Sequence, residues 1–175
     1  MTDHSQSPAV QITDLPFTGK FNLRCRVDAV SALEKALNVT LPVKIGDIWQ
    51  GGSRHVLCLG PDEWMILCED ADRATLVADS ESVYDKQPHS LVDVSFREVA
   101  LEIAGPEAET LLNTSCPRNL NDIAPGRGTR TVFDTAQVVL IRQATDTFQM
   151  FVWRSFYPHV RGLMRAAEKE LAAGL

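Results

Sequence analysis

Nucleophilic and metal chemistry need cysteines, histidines and carboxylates within reach of one another, and this sequence offers few such pairs. Cys25, Cys58, Cys68 and Cys116 include no Cys-x-x-Cys spacing, and His4, His55, His89 and His159 share no repeated interval. Neither a Gly-x-Ser-x-Gly elbow nor a Glu-x-x-His pair occurs. One pairing could matter. If Leu59 faces Trp64 across a hairpin, His55 faces Cys68, and such a pair could be a nucleophile with its base or half a metal site. The plainer reading is a buried cysteine beside a strand-end histidine. In that register Cys58 faces Met65, so no disulfide is expected there. Asp62 and Glu63 at the hairpin tip read as a turn and a charged edge, Asp70 and Asp72 as helix-start acids, and His159 as a solvated helix residue. Gly126-Arg127-Gly128 with nearby Arg130 lacks the third glycine of a dinucleotide fingerprint and the Lys-Ser/Thr of a P-loop. It reads as a turn before a strand, with a cradle for an anionic group as the alternative. No catalytic, cofactor-binding or metal-ligating residue is assigned to this chain.

Composition points the same way. The chain has 175 residues and a formal net charge of −6, and no basic cluster exceeds two residues. Nucleic-acid binding needs Lys and Arg gathered on one face, and an anionic membrane surface selects for the same, so neither partner is expected. The first ten residues are polar, unlike a secretory signal, and no apolar run reaches membrane-spanning length. A cytoplasmic protein with reduced thiols is the expectation.

The elements that must position any site follow from periodicity. Residues 1–19 read as a flexible tail and 20–175 as a single compact domain, with halves at about 20–95 and 96–175. Phe21, Leu23, Cys25 and Val27 alternate, as in a half-buried strand over 20–27. Val30, Leu33 and Leu37 recur at helical spacing, with Ser31 and Glu34 as a capping-box pattern. Residues 41–53 read as a loop lying against the body. Two apolar runs, 55–60 and 63–69, flank Gly60-Pro61-Asp62 and form a hairpin. A short helix over 70–79 and strands over 90–95 and 98–104 complete a strand-helix-strand-strand-helix-strand order, which is ferredoxin-like.

Gly105-Pro106-Glu107-Ala108 opens a helix. Strands over 129–133, 136–142 and 147–153 follow. The last helix carries a stripe of Phe156, Val160, Leu163, Met164, Ala167 and Leu171, with Ser155 as cap and Pro158 in its first turn. In the strand over 147–153, Phe148, Met150 and Val152 take one face and Phe151 and Trp153 the other. One face can pack on helices; the second needs a cover, either the other half of this protein or a partner subunit. The fold class is α+β, with mainly antiparallel sheets and helices packed on them.

Several stretches together resemble a known family. They are Leu59-Gly60-Pro61-Asp62-Glu63-Trp64, Val92-Asp93-Val94-Ser95, Ala104-Gly105-Pro106-Glu107-Ala108 with Leu111-Leu112, Cys116-Pro117 through Leu120, Pro125-Gly126-Arg127 with Thr131, and Ser155-Phe156. Their order and spacing are similar to the gamma subunit of heterotetrameric sarcosine oxidase, from about Phe21 to the end. That family in turn resembles the folate-binding domain of glycine-cleavage aminomethyltransferases, which implies two ferredoxin-like or aminomethyltransferase-like halves. In the transferases an acidic, glycine-rich bend follows the turn; here Asp134-Thr135-Ala136 stands in its place. The resemblance implies a non-catalytic structural subunit beside alpha, beta and delta subunits. It also implies that FAD, FMN, NAD and tetrahydrofolate belong to those partners, which demethylate sarcosine to glycine and pass on the one-carbon unit. The alternative is a free-standing folate-binding protein, with Arg127 and Trp153 as its natural ligand candidates.

Overall fold

Alternating polarity along the strands builds this molecule in four layers. The computed structural model describes residues 9–173. Strand β1 (Gln11–Asp14) precedes β2 (Gly19–Cys25), α1 (Val30–Leu37), β3 (Ile48–Gly51), β4 (Arg54–Gly60), β5 (Glu63–Cys68), α2 (Arg73–Glu81) and β6 (His89–Asp93). The second half runs β7 (Glu98–Ala104), α3 (Ala108–Asn113), β8 (Arg127–Phe133), β9 (Ala136–Ala144), β10 (Thr147–Trp153) and α4 (Tyr157–Ala172). Two five-stranded sheets result, ordered β3-β4-β5-β2-β6 and β1-β7-β10-β9-β8. Within the first, β4-β5-β2-β6 has the ferredoxin-like order expected from the sequence, with antiparallel pairing throughout.

Each sheet has one face toward helices and one toward the other sheet. Phe21, Leu23 and Ile66 pack with Leu33 and Leu37 of α1 and Leu76 of α2. Leu101, Ile103, Phe148 and Met150 pack with Leu111 of α3 and Met164 of α4. The inner faces meet through Leu57, Met65, Ala100, Val139, Ile141 and Phe151. Thus both faces of β10 are covered by this chain, as the two-sided apolar pattern demands. The exception is Trp153 at the strand end, 37% exposed.

The sheets touch most closely at β8. A Cβ on Gly128 would lie 2.9 Å from Leu57 Cδ2 and 3.0 Å from the Leu140 carbonyl, so only glycine fits this approach without displacing a neighbour. Gly128 N–H donates to the Gly46 carbonyl at 3.0 Å, and Gly46 N–H to that of Cys58 at 2.9 Å. Gly105 has φ +126 and a would-be Cβ 2.7 Å from the Ala9 carbonyl, which explains the residue at the start of the α3 segment.

Four expectations need correction. Residues 11–14 are strand β1, paired with β7, and Val10 and Ile12 are buried. The expected tail therefore holds structure from residue 9 onward, while 1–8, with His4, lie outside the described residues. The 41–53 loop contains β3, which extends the first sheet at its edge. Neither expected helix cap forms. Glu34 instead accepts from Leu41 N–H at 2.8 Å, and Phe156, without a side-chain cap bond, occupies the cap position of α4. The hairpin register differs because a bulge falls between Cys58 and Gly60, so Cys58 pairs with Trp64, Leu57 with Met65 and His55 with Leu67. One inserted residue moves every later side chain to the other face, which removes the supposed His55–Cys68 pair.

Trp64 anchors this hairpin. Its side chain lies in the core of the first sheet, 4% exposed, and its Nε1–H donates to the Pro42 carbonyl at 2.8 Å. Trp64→Ala should destabilise the chain by about 3–5 kcal/mol. Chemical denaturation would show this as a lower midpoint, and an unchanged midpoint would place the ring's contribution elsewhere.

Candidate functional site

Polar residues on the inner faces of the strands place charge between the two sheets. Lys20, Asn22 and Arg24 alternate with the core residues of β2, and Glu63 starts β5 beside them, paired with Arg24 in register. Glu98 on β7 and Arg130 on β8 come from the opposite sheet. The Glu63 side chain is 9% exposed, and four bonds saturate its carboxylate. Arg130 grips it with both terminal nitrogens, Nη1 to Oε2 at 3.0 Å and Nη2 to Oε1. Asn22 Nδ2 and Arg24 Nη2 each donate at 2.7 Å. A two-pronged guanidinium–carboxylate pair is among the strongest of charged hydrogen bonds. The Arg130 bond, with help from Asn22 and Arg24, holds the Glu63 carboxyl at about 2, against an ordinary 4.5.

Two further charges share the layer. Lys20 is 1% exposed, and its Nζ donates to the Thr18 carbonyl at 3.0 Å and sits 5.2 Å from the Phe17 ring centre. Burial lowers its pKa, with Glu98 acting the other way. Burial raises the pKa of Glu98, against the opposing pull of Arg97 and Lys20. Arg97 Nη2 lies 3.7 Å from one Glu98 oxygen, and the other has no hydrogen-bond partner among the described residues.

Around these groups lies a cleft of about 310 Å³ at the low end of ligand-site sizes. Phe21, Met65 and Val139 supply its apolar lining, and Trp153 borders it. Arg24, Arg97 and Arg130 outnumber Glu63 and Glu98, which makes this lining positive in a chain of net charge −6.

The residues singled out in the sequence are scattered. Cys68 and His55 do not pair, and burial pushes the thiols of Cys25 and Cys68 up to about 11, away from the reactive thiolate. Arg127 does not face open space. It donates to Asp47 and, at 2.9 Å, to the Ile45 carbonyl, which ties β8 to the loop before β3. Asp72 accepts from Arg54, whose Nη1 also reaches the last carbonyl of α1 at Leu37. His159 is hydrogen-bonded to Asp134 at the surface, 2.8 Å apart. Among the described residues no His, Cys, Asp or Glu cluster is suited to hold a metal ion. Glu63 is the residue that sequence reasoning misplaced, since it is an interior ion-pair centre and not a charged edge. The available signal was the polar alternation of Asn22 and Arg24 along a strand whose other face is apolar.

The sign of the Glu63 contribution follows from its depressed pKa. Its stabilisation is complete above the unfolded value near 4.5 and is lost as pH falls toward 2. The loss is on the order of 3 kcal/mol. Glu63→Gln should cost about 1–3 kcal/mol at neutral pH by leaving the partly buried Arg130 guanidinium without its carboxylate. Thermal melts of wild type and variant should then converge across that acid range, whereas parallel profiles would show that Glu63 is not the titrating clamp.

The chain is similar to known proteins in sequence and in fold. A sarcosine oxidase subunit gamma from Corynebacterium sp. (strain U-96) is 27% identical, with 94% of this chain and 82% of that protein aligned. Structurally, a chain of the heterotetrameric sarcosine oxidase from Corynebacterium sp. U-96, in complex with pyrrole 2-carboxylate, superposes with a TM-score of 0.82. It is 28% identical, and the match covers 93% of this chain and 85% of that one. The glycine cleavage system aminomethyltransferase T from Bartonella henselae shares the fold at a TM-score of 0.69 and 13% identity, over 89% of this chain and 45% of that one. Residues 26–170 match the sarcosine oxidase, gamma subunit family, and the chain belongs to that family.

Proposed function

We propose that this chain is the small non-catalytic subunit of a heterotetrameric sarcosine oxidase, assembled with alpha, beta and delta subunits. In this reading the larger subunits carry FAD, FMN, NAD and tetrahydrofolate. They demethylate sarcosine oxidatively to glycine and transfer the one-carbon unit to tetrahydrofolate. The family match over residues 26–170 carries the proposal. The internal use of charge supports the non-catalytic part: the Glu63 carboxylate is already saturated by three side chains of this chain. A cytoplasmic setting fits the four cysteines, all free thiols. Among the described residues no helix is long and apolar enough to cross a membrane.

A free-standing folate binder would need ligand residues whose donors are open. Arg127, one ligand candidate for that role, is held by Asp47 and Ile45, which favours the subunit reading. Co-expression with the alpha, beta and delta subunits should give one four-chain complex on size exclusion. The isolated chain should be colourless, form no peroxide with sarcosine and show no heat of binding with tetrahydrofolate. Stoichiometric flavin absorbance in the isolated chain would contradict the proposal, and a micromolar folate Kd would favour the folate reading.

A further inference from the structure

Four aromatic rings stay at the surface beside the cleft. Phe17, Phe96, Trp153 and Phe156 are 39%, 67%, 37% and 39% exposed. They form two ring pairs, Phe17 with Phe96 at 4.9 Å between centres and Trp153 with Phe156 at 6.2 Å. Arg154 joins the pairs through its backbone and its side chain. Arg154 N–H donates to the Arg97 carbonyl at 2.7 Å, and Arg154 Nε–H to that of Phe96 at 2.9 Å. Arg97 lies over the Trp153 ring, 4.9 Å from its centre. The face is therefore one patch, built where the β6–β7 connection meets the end of β10.

Its charge is unusual for this chain. Arg154 has no carboxylate within ion-pair distance among the described residues, and Arg97 reaches only Glu98, at 3.7 Å. Arg73, by contrast, is neutralised by Asp70 and Asp93. Two weakly compensated guanidinium groups thus stand among four exposed rings, on a chain of net charge −6. Exposed aromatics and arginines are the residue types that concentrate in the energetic centres of protein interfaces. Two cations on an acidic protein are too few to bind an anionic membrane surface.

We propose that this face docks an apolar segment of a larger oxidase subunit, whose carboxylates pair with Arg97 and Arg154 while its apolar side chains cover the rings. The proposal rests on the subunit reading and adds to it the contact surface and the partner's chemistry. Burial of such a contact would also dehydrate the neighbouring cleft and strengthen its ion pairs.

The test uses the full chain co-expressed with the tagged alpha subunit and with beta and delta. Phe96→Ser with Phe156→Ser, and separately Arg154→Glu, should each weaken retention of this chain by about tenfold or more. The free variants should melt within a few degrees of wild type, and Val43→Ser, an exposed position, should assemble normally. Hydrogen exchange on the wild-type complex supplies a readout that needs no variant. Amides of residues 96–97 and 153–157 should be protected relative to the free chain. Normal retention of both variants, or protection confined to other segments, would overturn the proposal while leaving the subunit reading intact. If the wild-type chain itself fails to join the complex, the subunit reading falls. Concentration-dependent dimerisation of the free chain, abolished by the same substitutions, would instead assign the face to a second copy and overturn the proposal.

Discussion

A carboxylate held between two sheets sets the architecture of this molecule. Glu63 belongs to the first sheet and Arg130 to the second, and their two-pronged bond joins the layers around a carboxylate that is almost wholly withdrawn from water. Burying a charge is costly unless its hydrogen-bonding capacity is filled, and Asn22 and Arg24 fill what Arg130 leaves. The strand positions of all four residues then follow. Each must lie on an inner face, so each neighbour in its strand must face a helix. A second tie, from Arg127 to Asp47 and Ile45, holds the start of the same strand to the loop that leads into β3 of the opposite sheet.

The rest of the inter-sheet layer divides between apolar and polar halves. Leu57, Met65, Val139, Ile141 and Phe151 make the dry part. Lys20, Glu98 and the Glu63 cluster make the charged part, with the cleft beside them. Glu63, Asn22, Arg24 and Arg130 bind one another, whereas Lys20 is held by the Thr18 carbonyl and one Glu98 oxygen has no partner among the described residues.

Much of this fold was legible because its strands alternate cleanly. The strand Thr147–Trp153 was read with its observed bounds, and its two-sided apolar character implied a second cover, which the first sheet provides. The ferredoxin-like order of the first half followed from its element sequence. Less legible features depend on distant residues. β1 has only four residues, and its pairing with β7 comes from tertiary context far along the chain. The bulge in the β4–β5 hairpin leaves no mark in residue types, so the register was read one residue off and a histidine appeared beside a cysteine. Glu63 looked like a solvated tip residue because its main partner lies 67 positions away.

The account depends most on the claim that Glu63 and Arg130 act as one structural clamp between the sheets. A double-mutant cycle with Glu63→Gln, Arg130→Met and the combined variant, read by urea denaturation, tests it directly. A coupled, two-pronged pair should give an interaction energy of about 1–3 kcal/mol, with the double variant more stable than the sum of the single changes implies. A coupling energy below about 0.5 kcal/mol would contradict the clamp, since independent sites add to within that margin.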